Sequence, residues 1–406
     1  MMLRTLASLG LVLLLFVPAR AEDADGARIS LLSGEVLRDV RLTKITADQV
    51  TFTDSSGKGR MAKLDDLVSY TRRGSVVPLP APAVHHVVVL LRGGDRIAGS
   101  LLPGKDEYVE ITSPLAGPQS FHVDDLEEIR FEKAWRETRE KPVYEAGEQD
   151  FDLFTYTHLD RLEGTFLRVS ARDIVAHTRW SDEQAIDFGK LLAIRFADAP
   201  APKVPEGRLA EVRLVDGSRI TAKAIRSDGK RMTATTLRDE EFEVALTDLL
   251  SVHQKGGRFV YLSDLTAKET EIVPWIGEAY AWDRPRIDLS FLDRPIQVGG
   301  ETYQKGIGVI SGTSLTYTLD GTYRLFTARI AVDDAAGDEG DVVFEVLVDG
   351  KSKYKSDVAR RLETGGTPAR IPAIDLSGAK ELTLRVLYVD DFVMDFANWI
   401  EPMLVK

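Results

Sequence analysis

Four segments of this chain repeat one pattern at one interval, and that interval constrains the fold more than any single motif does. Each segment opens with two short strands about a tight turn. The openings are Leu31 to Leu37 with Gly34, Leu90 to Gly99 with Gly94, His158 to Gly164 with Leu159, and Leu214 to Ile220 with Gly217. Each closes on a short, mostly acidic turn and a further strand, as in Leu64-Asp65-Asp66-Leu67-Val68. From Gly34 to Leu67 is 33 residues, and Gly94 to Leu126, Leu159 to Leu191 and Gly217 to Leu249 are each 32. A fixed interval of this kind marks an array of like structural units. The third copy is the most degenerate, with leucine at the turn position.

Within each copy apolar and polar residues alternate, as in Val50-Thr51-Phe52-Thr53. Asp216-Gly217 is a hairpin signal, because glycine accepts the positive φ that such turns require. Roughly 45–50 residues with about five short strands predict a small, strongly bent barrel. The pattern resembles SH3-like or Sm-like barrels, a likeness of fold that carries no ligand with it. The expected units are residues 27–73, 85–132, 151–197 and 207–254. Linkers separate them at Arg73 to Ala83, at the charged stretch Lys133 to Asp150 with room for a short helix, and at Asp198 to Glu206. After Gly256-Gly257 the strands lengthen. Leu315, Tyr317 and Leu319 share one face, as do Phe326, Ala328, Ile330 and Val332, then Val342, Phe344, Val346 and Val348, then Leu382, Leu384, Val386 and Tyr388. Period-two alternation punctuated by Asp320-Gly321 and Asp349-Gly350 predicts a β-sandwich over 258–406. The whole chain reads as all-β.

The N-terminus reads as an export leader, residues 1–21. Arg4 supplies the positive charge, Leu9 to Val17 the apolar run, and Ala19-Arg20-Ala21 the small residues of a cleavage site. The run is too short to span a bilayer, which needs about 20 apolar residues. No later stretch qualifies, so no transmembrane segment is expected after cleavage. The expected mature chain begins at Glu22 and is secreted, or resides in the periplasm or cell envelope. Its net charge of −12 becomes −14 once Arg4 and Arg20 leave with the leader. That balance repels phosphate backbones and disfavours nucleic acid as a partner. There is no cysteine, so neither disulfides nor thiolate chemistry can contribute.

Five ordered segments of the last domain carry a family resemblance. They are Tyr261-Leu262-Ser263-Asp264-Leu265, Gly299 to Gly308 with its Gly-x-x-Tyr-x-Lys-Gly-Ile-Gly core, Leu315 to Phe326, Val332-Asp333-Asp334 with Val343 to Lys351, and Asp395-Phe396-Ala397-Asn398-Trp399. Over residues 258–405 the chain resembles the NPCBM family of carbohydrate-binding modules. The resemblance implies a galactose-binding-like jelly roll with a sugar site on loops at one end. Two positions depart from the family pattern: Ile310 and Phe396 stand where it usually has histidine. No histidine occurs anywhere in this domain.

Sugar recognition needs an aromatic face for the C–H surface and fixed polar groups for the hydroxyls. The candidate contacts are Trp282 in the polar loop Ala281 to Arg286, Lys305, and Asp395, Asn398 and Trp399 of the terminal motif. Trp399 also sits where a large ring serves as core. Asn398 is the only asparagine of the chain. The segment 333–341 holds five acids, and Asp333, Asp334, Asp338 and Asp341 are candidates for a structural calcium ion. The alternative is a solvated acidic turn; no other cofactor is indicated.

Enzyme signatures are poor. Gly99 to Lys105 imitates a P-loop, but Asp106 stands where Ser or Thr must bind magnesium. Gly306-Ile307-Gly308 misses the dinucleotide spacing by one, and no nucleophile elbow or His-Glu-x-x-His occurs. The pairs Asp65-Asp66 and Asp124-Asp125 recur at one repeat position, which marks a turn, not an acid–base pair. No catalytic residue is expected. The leading expectation is an exported, non-catalytic binder of glycan or polysaccharide, with the barrels as spacers or as contacts for other envelope proteins. The alternatives are a scaffolding envelope protein whose module has lost sugar binding, and a cryptic glycoside hydrolase.

Overall fold

The computed structural model describes residues 26–72, 83–144, 149–200, 203–277, 283–361 and 367–406. The expected leader, nearly all of the first linker and Trp282 lie outside the described residues. The first repeat comprises β1 (Ala27–Leu31), β2 (Val36–Ile45), β3 (Gln49–Thr53), β4 (Gly59–Lys63) and β5 (Leu67–Arg72). The second comprises β6 (His86–Leu91), β7 (Arg96–Leu102), β8 (Tyr108–Ser113), β9 (Gly117–His122) and β10 (Leu126–Phe131), followed by the short helix α1 (Glu132–Glu137). The third holds β11 (Asp152–Tyr156), β12 (Arg161–Val169), β13 (Asp173–Thr178), β14 (Ser181–Asp187) and β15 (Leu191–Arg195). The fourth holds β16 (Arg208–Leu214), β17 (Arg219–Ser227), β18 (Arg231–Thr236), β19 (Glu241–Ala245) and β20 (Leu249–Gly256).

All four repeats pair alike: the first strand lies between the second and the last, and the third and fourth follow the second. The constant interval has a structural cause. Gly34, Gly94 and Gly217 turn the chain at φ of +84°, +86° and +86°, and Leu159 does so at +72°. A leucine there carries the strain that glycine avoids. Leu67, Leu126, Leu191 and Leu249 each open the closing strand, beside a register shift. All four are buried, each worth about 1.5–3 kcal/mol of apolar burial. The interval is the length of chain needed to leave the turn, run through three strands and return.

The expectation of separate barrels needs correction. Closing strands pair across repeats: β10 runs antiparallel to β15, and β20 to β5. The inner repeats are thereby joined to each other and the outer repeats to each other, and twenty strands form one hydrogen-bonded network. One continuous apolar core runs through all four. Pairing covers edges that would otherwise invite association.

The last domain is a sandwich. Its strands are β21 (Phe259–Tyr261), β22 (Glu269–Ile272), β23 (Arg286–Ile287), β24 (Ile296–Val298), β25 (Glu301–Tyr303), β26 (Gly306–Ile310), β27 (Thr313–Thr318), β28 (Leu325–Val332), β29 (Asp341–Val348), β30 (Lys351–Lys355), β31 (Ala359–Arg360), β32 (Ala369–Arg370), β33 (Ile374–Asp375), β34 (Glu381–Tyr388) and β35 (Phe396–Val405). One antiparallel sheet runs β23-β26-β35-β28-β32, and the facing one β22-β27-β34-β29-β30. The alternating sets read from the sequence meet between them, except Tyr388, which sits half-buried at the end of β34; Phe326, Phe344, Leu384 and Trp399 are fully enclosed. No helix among the described residues is long and apolar enough to cross a membrane.

The sandwich is docked on the repeats. Val68 packs with Phe259, Tyr261, Met403 and Val405, and the Tyr261 hydroxyl donates to the Val68 carbonyl at 3.2 Å. Arg28 pairs with Glu301 at 2.9 Å and lies over the Tyr303 ring. His253 is buried here, with its Nδ1 3.2 Å from the Ser251 hydroxyl. Burial holds its imidazole well below the ordinary value; Arg213 and Lys305 add to this and Glu211 opposes it. The unfolded chain binds a proton near pH 6.5 that the folded one refuses, so this group costs stability as pH falls below about 6.5. The expected cost is up to about 1.4 kcal/mol per pH unit. Denaturation midpoints of wild type and His253→Gln at pH 7.5 and 5.5 check it: the variant should lose less on acidification, and equal losses would reject the assignment.

Candidate functional site

One end of the sandwich gathers its loops. β22, β26, β28 and β34 stop there, and β27, β29 and β35 start there. The 273–277 loop is seated by a glycine. Gly312 has φ +81°, and a Cβ on it would lie 2.2 Å from the Val273 carbonyl oxygen and 2.4 Å from the Tyr388 hydroxyl. No other residue permits that approach. The Tyr388 hydroxyl donates to the Val273 carbonyl at 2.6 Å. Trp275 then stands edge-on against the Tyr388 ring, centroids 5.3 Å apart, and remains 47% exposed. Ile276 beside it and Phe392, Val393 and Met394 on the neighbouring loop are exposed as well. A braced aromatic face open to solvent is suited to stacking.

Two buried polar residues lie toward the same end, Asp395 just before β35 and Asn398 within it. Asp395 is buried; one carboxylate oxygen accepts from the Asp341 amide at 3.0 Å, and the other has no protein partner among the described residues. Burial pushes its pKa up to about 6. Asn398 Nδ2 donates to Asp333 Oδ2 at 2.9 Å, while its Oδ1 is buried without a partner. Asn398 faces outward opposite Gly308, and Trp399 faces inward opposite Ile307.

The calcium expectation fails on geometry. Asp333 also accepts from the amides of Gln297 and Ala335, and Asp334 from those of Gly299 and Gly300 at 2.9 and 2.8 Å. Asp338 pairs with Arg361, and Asp341 with Arg360. These carboxylates fasten loops and answer cations; among the described residues no group of three or more acidic or histidine side chains is placed to hold a metal.

The sequence-derived contacts do not converge. Lys305 is 2% exposed and faces the repeats, where its ammonium lies 2.7 Å from Asp264, 2.8 Å from Asp288 and 3.9 Å from Glu211. It stands at the far end of β26 from Ile310, about 16 Å away at the usual rise. Lys305 is therefore a docking residue, not a sugar contact. Trp399 is 1% exposed and edge-on to Phe344 at 5.0 Å, a core residue. Asp395 and Asn398 remain at the loop end. Ile310 and Phe396 pair directly across β26 and β35, and Phe396 stacks on Phe291 at 5.7 Å and 21°. Gly308 lets that segment lie flush, since a Cβ there would meet the Leu289 carbonyl oxygen at 2.5 Å. The positions usually held by histidine are thus roofed by an aromatic stack. Trp275 was missed in the sequence; its signal was Pro274-Trp275-Ile276-Gly277, an apolar turn that has no reason to be apolar unless it covers or binds something.

Residues 258–405 match the NPCBM/NEW2 domain. Over 92 residues, 23% of its length, the chain is 39% identical to a Renibacterium salmoninarum protein named for endo-alpha-N-acetylgalactosaminidase activity, covering 6% of that protein. Over 121 residues, 29% of its length, it is 28% identical to alpha-1,3-galactosidase B of Akkermansia muciniphila, covering 15% of that enzyme. The chain thus spans less than a sixth of either relative. Among solved structures it is similar to CBM51 from the Clostridium perfringens GH95 protein in complex with methyl-galactose. That match has 24% identity, 36% of this chain, 99% of that chain and a TM-score of 0.31. The matched residues are fastened to the repeats through Lys305, 3.9 Å from Glu211, and through Tyr261.

Proposed function

We propose that the protein is an exported, non-catalytic glycan binder of the secreted, periplasmic or cell-envelope space. Its NPCBM domain, read as a galactose-binding-like jelly roll, takes sugar at the loop end. Trp275, braced by Tyr388 yet open to solvent, is the observation that carries the reading. Trp275 supplies the stacking face, with Asp395, whose charge acts on the Tyr388 hydroxyl, as the polar group on that side. The four repeats, each bent as a small SH3-like barrel, act as spacers or as contacts for other envelope proteins. A scaffolding role with sugar binding lost is the second reading, favoured by the apolar stack of Phe291 and Phe396 over the usual polar positions.

A broad glycan array probed with the full mature chain tests both. Trp275→Ala should weaken the best hit tenfold or more, from about 0.5–1.5 kcal/mol of stacking plus the lost contact area. Its melting temperature should stay within a degree or two, because the ring is half in solvent. Unchanged affinity would move the site elsewhere, and an array without hits would favour the scaffold. Incubation with a bound glycan should release no new reducing ends.

A further inference from the structure

A cavity of about 390 Å³ lies where the second repeat, the fourth repeat and the sandwich meet, lined by Arg96, Arg130, Arg213 and Arg219 and also by Asp95 and Glu127. It is built by two equivalent turns clasping each other. Asp95 follows Gly94 and accepts from the Thr221 amide at 2.9 Å; Ser218 follows Gly217 and accepts from the Ala98 amide at 3.0 Å. Ala98 and Thr221 occupy the same repeat position, so the clasp is a reciprocal two-fold. Arg219 keeps the symmetry and donates to the Gly94 carbonyl through Nε at 3.2 Å and through Nη2. Arg96, its counterpart, breaks it. The Arg96 guanidinium makes no hydrogen bond or ion pair with any described residue, and its Nε is buried. Arg130 and Arg213 are answered by Glu128 and Glu211, and Glu127 by Arg195. Glu132 and Asp216 act on Arg96 from beyond ion-pair distance, while Arg130 and Arg219 repel it.

We propose that this cavity is a binding site for a small oxyanion-bearing molecule, held between Arg96 and Arg219. The Arg96 Nε is buried without a partner while the rest of the side chain is only partly covered, and a guanidinium's planar fork suits carboxylate, sulfate or phosphate. The site is separate from the loop end and does not rest on the glycan reading.

Isothermal titration of the full mature chain with sodium sulfate, sodium phosphate and sodium glucuronate tests it, against sodium chloride at matched ionic strength. At least one oxyanion should give a saturable one-site heat, and the one that does identifies the source. Arg96→Gln should bind it at least tenfold more weakly. Arg226→Gln, which removes a surface pair with Glu241, should bind it as wild type does. Arg96→Lys keeps the charge without the fork and should also weaken binding, so the test stands if the glutamine variant fails to fold. Absence of a saturable heat with all three anions, or an equal heat in the Arg96 variants, would overturn the proposal.

Discussion

Trp399→Ala should cost about 3–5 kcal/mol of stability, the range for emptying a buried large aromatic site. The ring is enclosed between the two sheets and edge-on to Phe344, so its neighbours cannot close the gap without shifting strands. For a unit of this size that is a melting-point drop of roughly 6–20 °C. Near-UV circular dichroism during the melt reads it directly. A loss under about 1 kcal/mol would mean that Trp399 is not the centre of the core. Trp275→Ala should do the reverse, and the pair separates a structural tryptophan from a binding one.

Lys305→Ala should cost about 3–5 kcal/mol, for a different reason: it leaves Asp264 without its cation and Glu211 and Asp288 with Arg213 alone. Burial alone would raise the Glu211 carboxyl. Lys305 and then Arg213 outweigh it and hold the pKa down to about 2. In the wild type this depressed value gives stability that is present above pH 4.5 and is lost only as pH falls through about 2. Without Lys305 the Glu211 carboxylate is easier to protonate than in the wild type, so acid costs the variant less. The gap between wild type and Lys305→Ala, measured by denaturant titration, should therefore narrow from pH 7 to pH 4. A gap that widens with acid would contradict the network. Affinity for any glycan found on the array should be unchanged, since Lys305 lies at the far end of β26.

The repeats were legible because their signals are local: turn residues at positive φ and buried leucines at fixed offsets need no long-range knowledge. Even Leu159 fits, since its neighbours keep the count although its own residue type is wrong for the turn. The ladders between repeats were not legible. Strand β5, Leu67-Val68-Ser69-Tyr70-Thr71-Arg72, reads the same whether its outer edge meets water or β20. The sandwich was legible from four alternating strands. The site was legible only in part, because Lys305 looks like an exposed turn lysine until Asp264, Asp288 and Glu211 are brought to it. The acidic segment 333–341 misled for the same reason: its partners, the amides of Gln297, Gly299 and Gly300, carry no side-chain signature.

The ladders between closing strands are nested like brackets, and nesting has a cost in time. Residue 70 meets residue 252 in its ladder, whereas residue 129 meets residue 194. At about 5–20 residues per second of synthesis, β5 waits roughly 10–35 s for its partner, and β10 waits about a third as long. The inner pair can finish while the outer pair is still half made. A ribosome that stalls after β15 has emerged but before β20 is free holds a closed inner pair and one bare adhesive edge, Leu67 to Arg72. Any nascent-chain aggregation of this protein should map to that edge.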